Sequence, residues 1–144
     1  MIKLAIPLLL VALSLAGNDI QAYEEVTNTD TRARLSRLIT AAIAYDLYNS
    51  HCRGFLSSMH ADNVETLTVK KFAMTLAQLS DRLASKPLSE LTRETEVALI
   101  DQIRKLGGCK SAKKKGYLSK LKQDYQQLFE WLSLPFTQKI MRDF

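Results

Sequence analysis

Three observations predict an all-α protein, specifically an antiparallel four-helix bundle with a short C-terminal helical tail and one disulfide. Apolar residues recur at three-and-four spacing over four separate stretches, which is the period of an amphipathic helix. Period-two alternation never lasts, and no Asn-Gly type turn joins two β-branched runs, so nothing reads as a hairpin. Finally, Cys52 and Cys109 fall at the ends of the first and third stretches, which an up-down-up-down arrangement brings to one pole.

The first residues stand apart from that pattern. Met1-Ile2-Lys3 makes a positive start, and Leu4 to Ala16 is an apolar run broken only by Pro7 and Ser14. Such a run has the form of a secretory signal and is too short for a membrane span. Ala22, with Ile20 two residues before it, suits cleavage before Tyr23, and a cut after Ala16 is the second choice. Leu15-Ala16-Gly17 would open a lipobox if a cysteine followed, but Asn18 stands there. The expected organisation is a signal peptide over 1–22 and a single helical domain over 23–144. The product is expected to be periplasmic or secreted and not membrane-spanning after processing.

An oxidising compartment lets two thiols persist as a bridge, so Cys52 and Cys109 are expected to form a structural disulfide. The alternatives are a reactive thiol or a metal pair completed by His51, His60 and Asp62; the metal pair is weaker because no second Cys or His recurs at ligand spacing.

The first helix is expected from Thr31, behind the capping oxygens of Asn28, Thr29 and Asp30, to about Ser57. Its stripe is Leu35, Leu38, Ile39, Ala42, Ile43, Leu47 and Phe55, and Gly54 weakens its last turn. Asp62 with Glu65 has the form of a capping box opening a second helix, through Val64, Leu67, Phe72, Met74, Leu76, Leu79 and Leu83. Lys86-Pro87 ends it, since proline lacks an amide proton and pushes its predecessor out of helical angles. Ser89 or Thr92 then caps a third helix with the stripe Leu91, Ala98, Leu99, Ile103 and Leu106. Arg104-Lys105 and Gly107-Gly108 mark its end. The fourth runs from about Lys113 or Tyr117 to Leu134, closed by Pro135. Beyond it Phe136, Ile140 and Phe144 repeat at four-residue intervals as the tail.

The 144 residues carry 20 Lys+Arg against 15 Asp+Glu, and 47% of them are hydrophobic, which fits one ordinary globular domain and excludes a disordered tail or fibre. The positive charge is not evenly spread. Between Arg104 and Lys122 lie Arg104, Lys105, Lys110, Lys113, Lys114, Lys115, Lys120 and Lys122, with no acidic residue among them. Such a cluster attracts anions over a range set by salt screening. At the start of a fourth helix, Lys113 to Lys115 would oppose the macrodipole.

Chemistry is harder to find. There is no Gly-x-Ser-x-Gly, His-Glu-x-x-His, phosphate loop or dinucleotide fingerprint, and the five glycines are too scattered to cradle phosphate. Glu24-Glu25 and Glu94 with Glu96 or Asp101 read as exposed charges. Tyr45, Tyr48, Asn49 and Cys52 share a helix face, beside Asp46, His51 and Arg53; they would line a groove or fill a bundle end. No catalytic, cofactor-binding or metal residue is assigned.

These features imply a non-enzymatic protein-binding module whose partner patch would be Trp131, Phe136, Ile140 and Phe144. The alternative is a binder of anionic envelope surfaces (lipid, lipopolysaccharide or cell-wall polyanion) through Lys110, Lys113, Lys114, Lys115, Lys120 and Lys122. Nucleic acid is not expected, because only Tyr117 interleaves with the lysines as a stacking aromatic.

Overall fold

The computed structural model describes the backbone of residues 16–135 and the side chains of residues 29–135. Among the described residues there are six helices and no strand: α1 Ala16–Arg53, α2 Met59–Phe72, α3 Leu76–Ala84, α4 Leu88–Lys105, α5 Cys109–Lys114 and α6 Tyr117–Ser133. The expected tail, Phe136 to Phe144, lies outside the described residues, as do the side chains of the expected signal peptide.

The first helix begins earlier than its capping residues suggested. Asn28, Thr29 and Asp30 fall inside α1, and Asp30 pairs with Arg34 one turn on, at 2.9 Å. An i,i+4 ion pair supports a helix interior as readily as an Asp supports a cap. At the other end α1 stops at Arg53, because Gly54 takes a left-handed φ of +75°.

α1 is the hub of the fold: α2, α3, α4 and α6 all pack against it. Leu35, Leu38, Ile39, Ala42 and Ile43 are buried with Val64 of α2, Leu76 and Leu79 of α3, and Tyr125 and Leu132 of α6. A second core cluster holds Tyr48, Leu99, Ile103 and Leu121, with Cys52, Cys109 and Tyr117 packed on it. Each fully buried Leu or Ile contributes about 1.5–3 kcal/mol relative to exposure.

The expected second helix is two. Ser58 occupies the cap position of α2, not Asp62, and Glu65 caps nothing in α2. Its Oε2 accepts from the Leu76 backbone N–H at 3.1 Å, tying α2 to the start of α3. The break falls at Ala73, in the left-handed region at φ 55°. Thr75 and Gln78 then form a reciprocal capping box.

α4 starts at Leu88 behind Pro87 rather than at a Ser89 or Thr92 cap, and the Thr92 hydroxyl instead donates to the Leu88 carbonyl within the helix. Proline suits a helix start because its missing N–H would lie beyond the intrahelical ladder in any case. At the far end Gly107 and Gly108 both take positive φ, as expected, and the Gly108 N–H closes on the Ile103 carbonyl at 2.9 Å. In the third stripe Ala98 is exposed, and Thr95 takes a buried place instead.

The fourth stretch also divides. Lys113 and Lys114 end the short helix α5, and Gly116, at φ +81°, separates it from α6. The expected conflict with the macrodipole is therefore reversed, since positive side chains in a last turn face the carbonyl end.

Candidate functional site

The candidate site is the pole where the last turn of α1, the end of α4, α5 and the start of α6 meet. Its geometry starts from a buried carboxylate. Asp46 on α1 is 4% exposed. Its Oδ2 accepts from the backbone N–H groups of His60 at 3.0 Å and Ala61 at 2.9 Å, and its Oδ1 accepts from Ser57 Oγ at 2.8 Å. The His60 ring Nδ1 lies 2.6 Å from the same Oδ1. Those N–H groups belong to the first turn of α2, whose own cap residue Ser58 makes no side-chain cap bond. A side chain from α1 thus satisfies the orphan donors of α2 and places an acidic group at its positive end.

The rings around this anchor are packed tightly. Tyr45 stacks on His60 with centroids 4.0 Å apart, and Tyr125 meets His60 edge-on at 4.8 Å. Burial raises the Tyr125 phenol above its ordinary pKa, opposed by a hydrogen bond with Asn63. Ser57 Oγ donates to the same carboxylate oxygen that the His60 ring meets, so hydroxyl and imidazole converge on Asp46 rather than forming a relay from nucleophile to base to acid. It holds a connection in place.

That connection, residues 54–58, is pinned twice at Ser57: its hydroxyl to Asp46 and its N–H to Ser50 Oγ at 3.4 Å. With Ser57 held inward, its neighbours turn outward. Leu56 is 97% exposed, Met59 60% and Phe55 47%. The Arg53 guanidinium lies 5.0 Å from the Phe55 ring centroid and donates to Asn49 Oδ1 at 3.2 Å. Sequence reasoning placed Phe55 in the first helix's buried stripe; past Gly54 it leaves that helix and becomes part of an apolar tip. A Phe-Leu pair between a glycine and two serines was the available signal.

The expected disulfide is present, joining Cys52 and Cys109 with Cα atoms 5.4 Å apart, within the normal span of such bridges. It ties the base of the apolar tip to the first residue of α5. Lys110, Lys113, Lys114, Lys115, Lys120 and Lys122 are all exposed. Lys115 Nζ donates to the Leu106 carbonyl at 3.2 Å, covering the end of α4, and Lys105 pairs with Asp101 at 2.6 Å. Over 51–59 and 104–120 the sequence holds eight Lys or Arg and no Asp or Glu.

The polar-aromatic residues of α1 do not wall one cavity. Tyr48 and Asn49 are buried, Tyr45 belongs to the His60 stack, and His51 is exposed beside Ser50, Glu96 and Ile100. Tyr48 meets Tyr117 edge-on at 6.1 Å, and burial raises both phenols. Among the described residues no cluster of three or more His, Cys, Asp or Glu side chains could hold a metal ion.

An open groove of about 640 Å³ runs over α1 between α4 and α6, with Thr40 and Ala44 as its floor, Ala98 and Leu99 on one wall and Tyr117 and Lys120 on the other. Trp131, at the opposite end of α6, is partly buried, and the Arg34 guanidinium lies 5.6 Å from its ring centroid. The other members of the expected partner patch, Phe136, Ile140 and Phe144, lie outside the described residues. No helix among the described residues is long and apolar enough to cross a membrane. Compared with known proteins, the chain matches no family model, no curated protein and no solved structure.

Proposed function

We propose that this chain is an exported, non-enzymatic helical domain, periplasmic or secreted after loss of residues 1–22, that binds an anionic surface of the cell envelope. The observation that carries the reading is the pole itself. Lys110, Lys113 and Lys114 project from a short helix that the Cys52–Cys109 bond fastens to α1, and the flanking segments add further Lys and Arg without an acidic residue. A fixed array of like charges attracts a polyanionic surface by about 1 kcal/mol for each lysine that reaches it. A bridge of this kind also persists best outside a reducing cytosol.

The test is co-sedimentation of the exported protein with phosphatidylcholine vesicles, with and without phosphatidylglycerol. Binding is expected only to the anionic vesicles and is expected to weaken as salt shortens the screening length. Changing Lys113, Lys114 and Lys115 together to Gln should weaken it on the order of a hundredfold. Binding that is indifferent to both salt and these substitutions rules the reading out.

The second reading, a protein-binding module, draws its support from the groove between α4 and α6. Small residues on its α1 floor let a partner helix approach closely, as in helix-in-groove recognition. Filling it by Ala44→Phe should abolish a protein complex while leaving vesicle binding intact; a complex that survives the change does not use the groove.

A further inference from the structure

We propose that the tip formed by Phe55, Leu56 and Met59 inserts into the interfacial region of an anionic bilayer, while the lysines of α5 and its flanks contact the head groups around it. The proposal rests on the anionic-surface reading above and adds that the surface is a membrane, entered by side chains, rather than a polyanion met by charge alone.

The tip is placed for this by the fold. Ser57 is anchored inward on Asp46 and Ser50, so the 97% exposed Leu56 has no route back to the core without breaking those bonds. Phe55 and Met59, on either side of the anchored serine, are also solvent-facing. Two large apolar side chains on a pinned connection and a third on the first residue of α2 are what an interfacial anchor needs, since little ordering of the loop remains to oppose insertion.

Charge complementarity selects the occupant. Phe55 is three residues beyond Cys52 and Lys110 one beyond Cys109. With the bridged Cα atoms 5.4 Å apart, the Phe55 and Lys110 Cα atoms are separated by no more than about 21 Å. Arg53 stacks over Phe55 itself. Of the acidic groups around the pole, Asp46 is buried against α2 and Asp101 pairs with Lys105, while Asp62, in the first turn of α2, and Glu96, beside Ser50 and His51, are exposed, so the cationic side of the tip is that of Arg53 and α5. Apolar side chains with Arg53 over one of them and the lysines of α5 fastened to the same helix end match the layered chemistry of an anionic membrane, where hydrocarbon lies beneath phosphate. A dissolved polyanion would satisfy the lysines and leave Leu56 in water.

The experiment compares the exported protein, its Phe55→Ser/Leu56→Ser variant and its Lys113→Gln/Lys114→Gln/Lys115→Gln variant. Each is titrated with phosphatidylcholine–phosphatidylglycerol vesicles and, separately, with soluble polyphosphate. Circular dichroism and intact disulfide confirm that each variant is folded; the substituted side chains are exposed, so folding is expected to be kept. The serine variant should bind vesicles about tenfold more weakly and polyphosphate unchanged. The glutamine variant should lose both. In a third arm, Leu56→Trp should shift its fluorescence to the blue on vesicle binding and be quenched by brominated acyl chains.

Vesicle binding unaffected by the serine substitutions, or a tryptophan at 56 that brominated chains do not quench, overturns insertion while leaving the anionic-surface reading standing. Failure of the unaltered protein to bind either vesicles or polyphosphate overturns both. Loss of a protein complex in the serine variant, with vesicle binding kept, identifies the tip as a protein contact and also overturns the proposal.

Discussion

His60 is held twice by Asp46: its backbone N–H donates to Oδ2 at 3.0 Å, and its ring Nδ1 lies 2.6 Å from Oδ1. One carboxylate on α1 therefore sets both where α2 begins and how its second residue is turned. The same carboxylate receives Ser57, so it also determines the outward course of Phe55 and Leu56.

Removing this anchor should be costly. Asp46→Ala leaves the buried donors of His60 and the half-buried donors of Ala61 and Ser57 without their acceptor and is expected to destabilise the fold by about 3 kcal/mol, measured by urea denaturation. Asp46→Asn keeps the shape but loses the charge at the α2 N-terminus and should cost roughly half as much. A loss below about 0.5 kcal/mol for the alanine variant would mean that solvent caps α2 equally well.

The disulfide closes a loop spanning 57 positions. In the chain-entropy model such closure stabilises the native state by about 4 kcal/mol, so Cys52→Ser/Cys109→Ser should lower unfolding free energy by that order. Because α5 is short and fastened at its first residue, the double variant should also show faster amide exchange in 109–114 than in α1.

Two buried phenols and one half-buried phenol predict an alkaline limit. Tyr48, Tyr117 and Tyr125 all have pKa values raised above the ordinary tyrosine value, chiefly by burial, which disfavours the ionised form. Folding holds them neutral, so the stabilisation is not diminished below the unfolded value, near pH 10. It is lost as pH rises through the higher folded values, because the unfolded chain then releases protons that the folded one retains. Tyrosinate absorbance should rise late and together with loss of helical circular dichroism; an early, reversible rise at full helicity for all tyrosines would contradict this.

Thr75→Ala should destabilise the protein by about 1 kcal/mol, since it removes the acceptor for the Gln78 N–H and breaks the capping box that starts α3. Gln78→Ala should cost less, because the Thr75 hydroxyl remains to cap. Thermal unfolding midpoints of the two variants provide the comparison.

That capping box marks where sequence reading stopped short. Thr75-x-x-Gln78 was legible, yet the apolar residues Phe72, Met74, Leu76 and Leu79 continue across it and read as one helix. Periodicity records which residues want burial; it does not record a change of direction while burial continues. In the same way Lys113 to Lys115 read as the beginning of a helix, although Gly116 in the left-handed region makes them the end of one. A glycine's φ depends on what surrounds the turn, and the string of letters offers both readings.

The helical class, the stripe of α1 from Leu35 to Ile43 and the pairing of the only two cysteines were determined by the sequence alone, because each depends on local period or on a count of two. The company of Asp46 was decided by tertiary structure. A carboxylate in the middle of a helix is an exposed charge or a buried anchor according to which other helix presents its N-terminus there, and the donors come from residues 57–61, more than a turn of helix away. The apolar tip follows from the same fact: Leu56 faces water because Ser57 is bound, and that bond exists only once α2 has packed against α1.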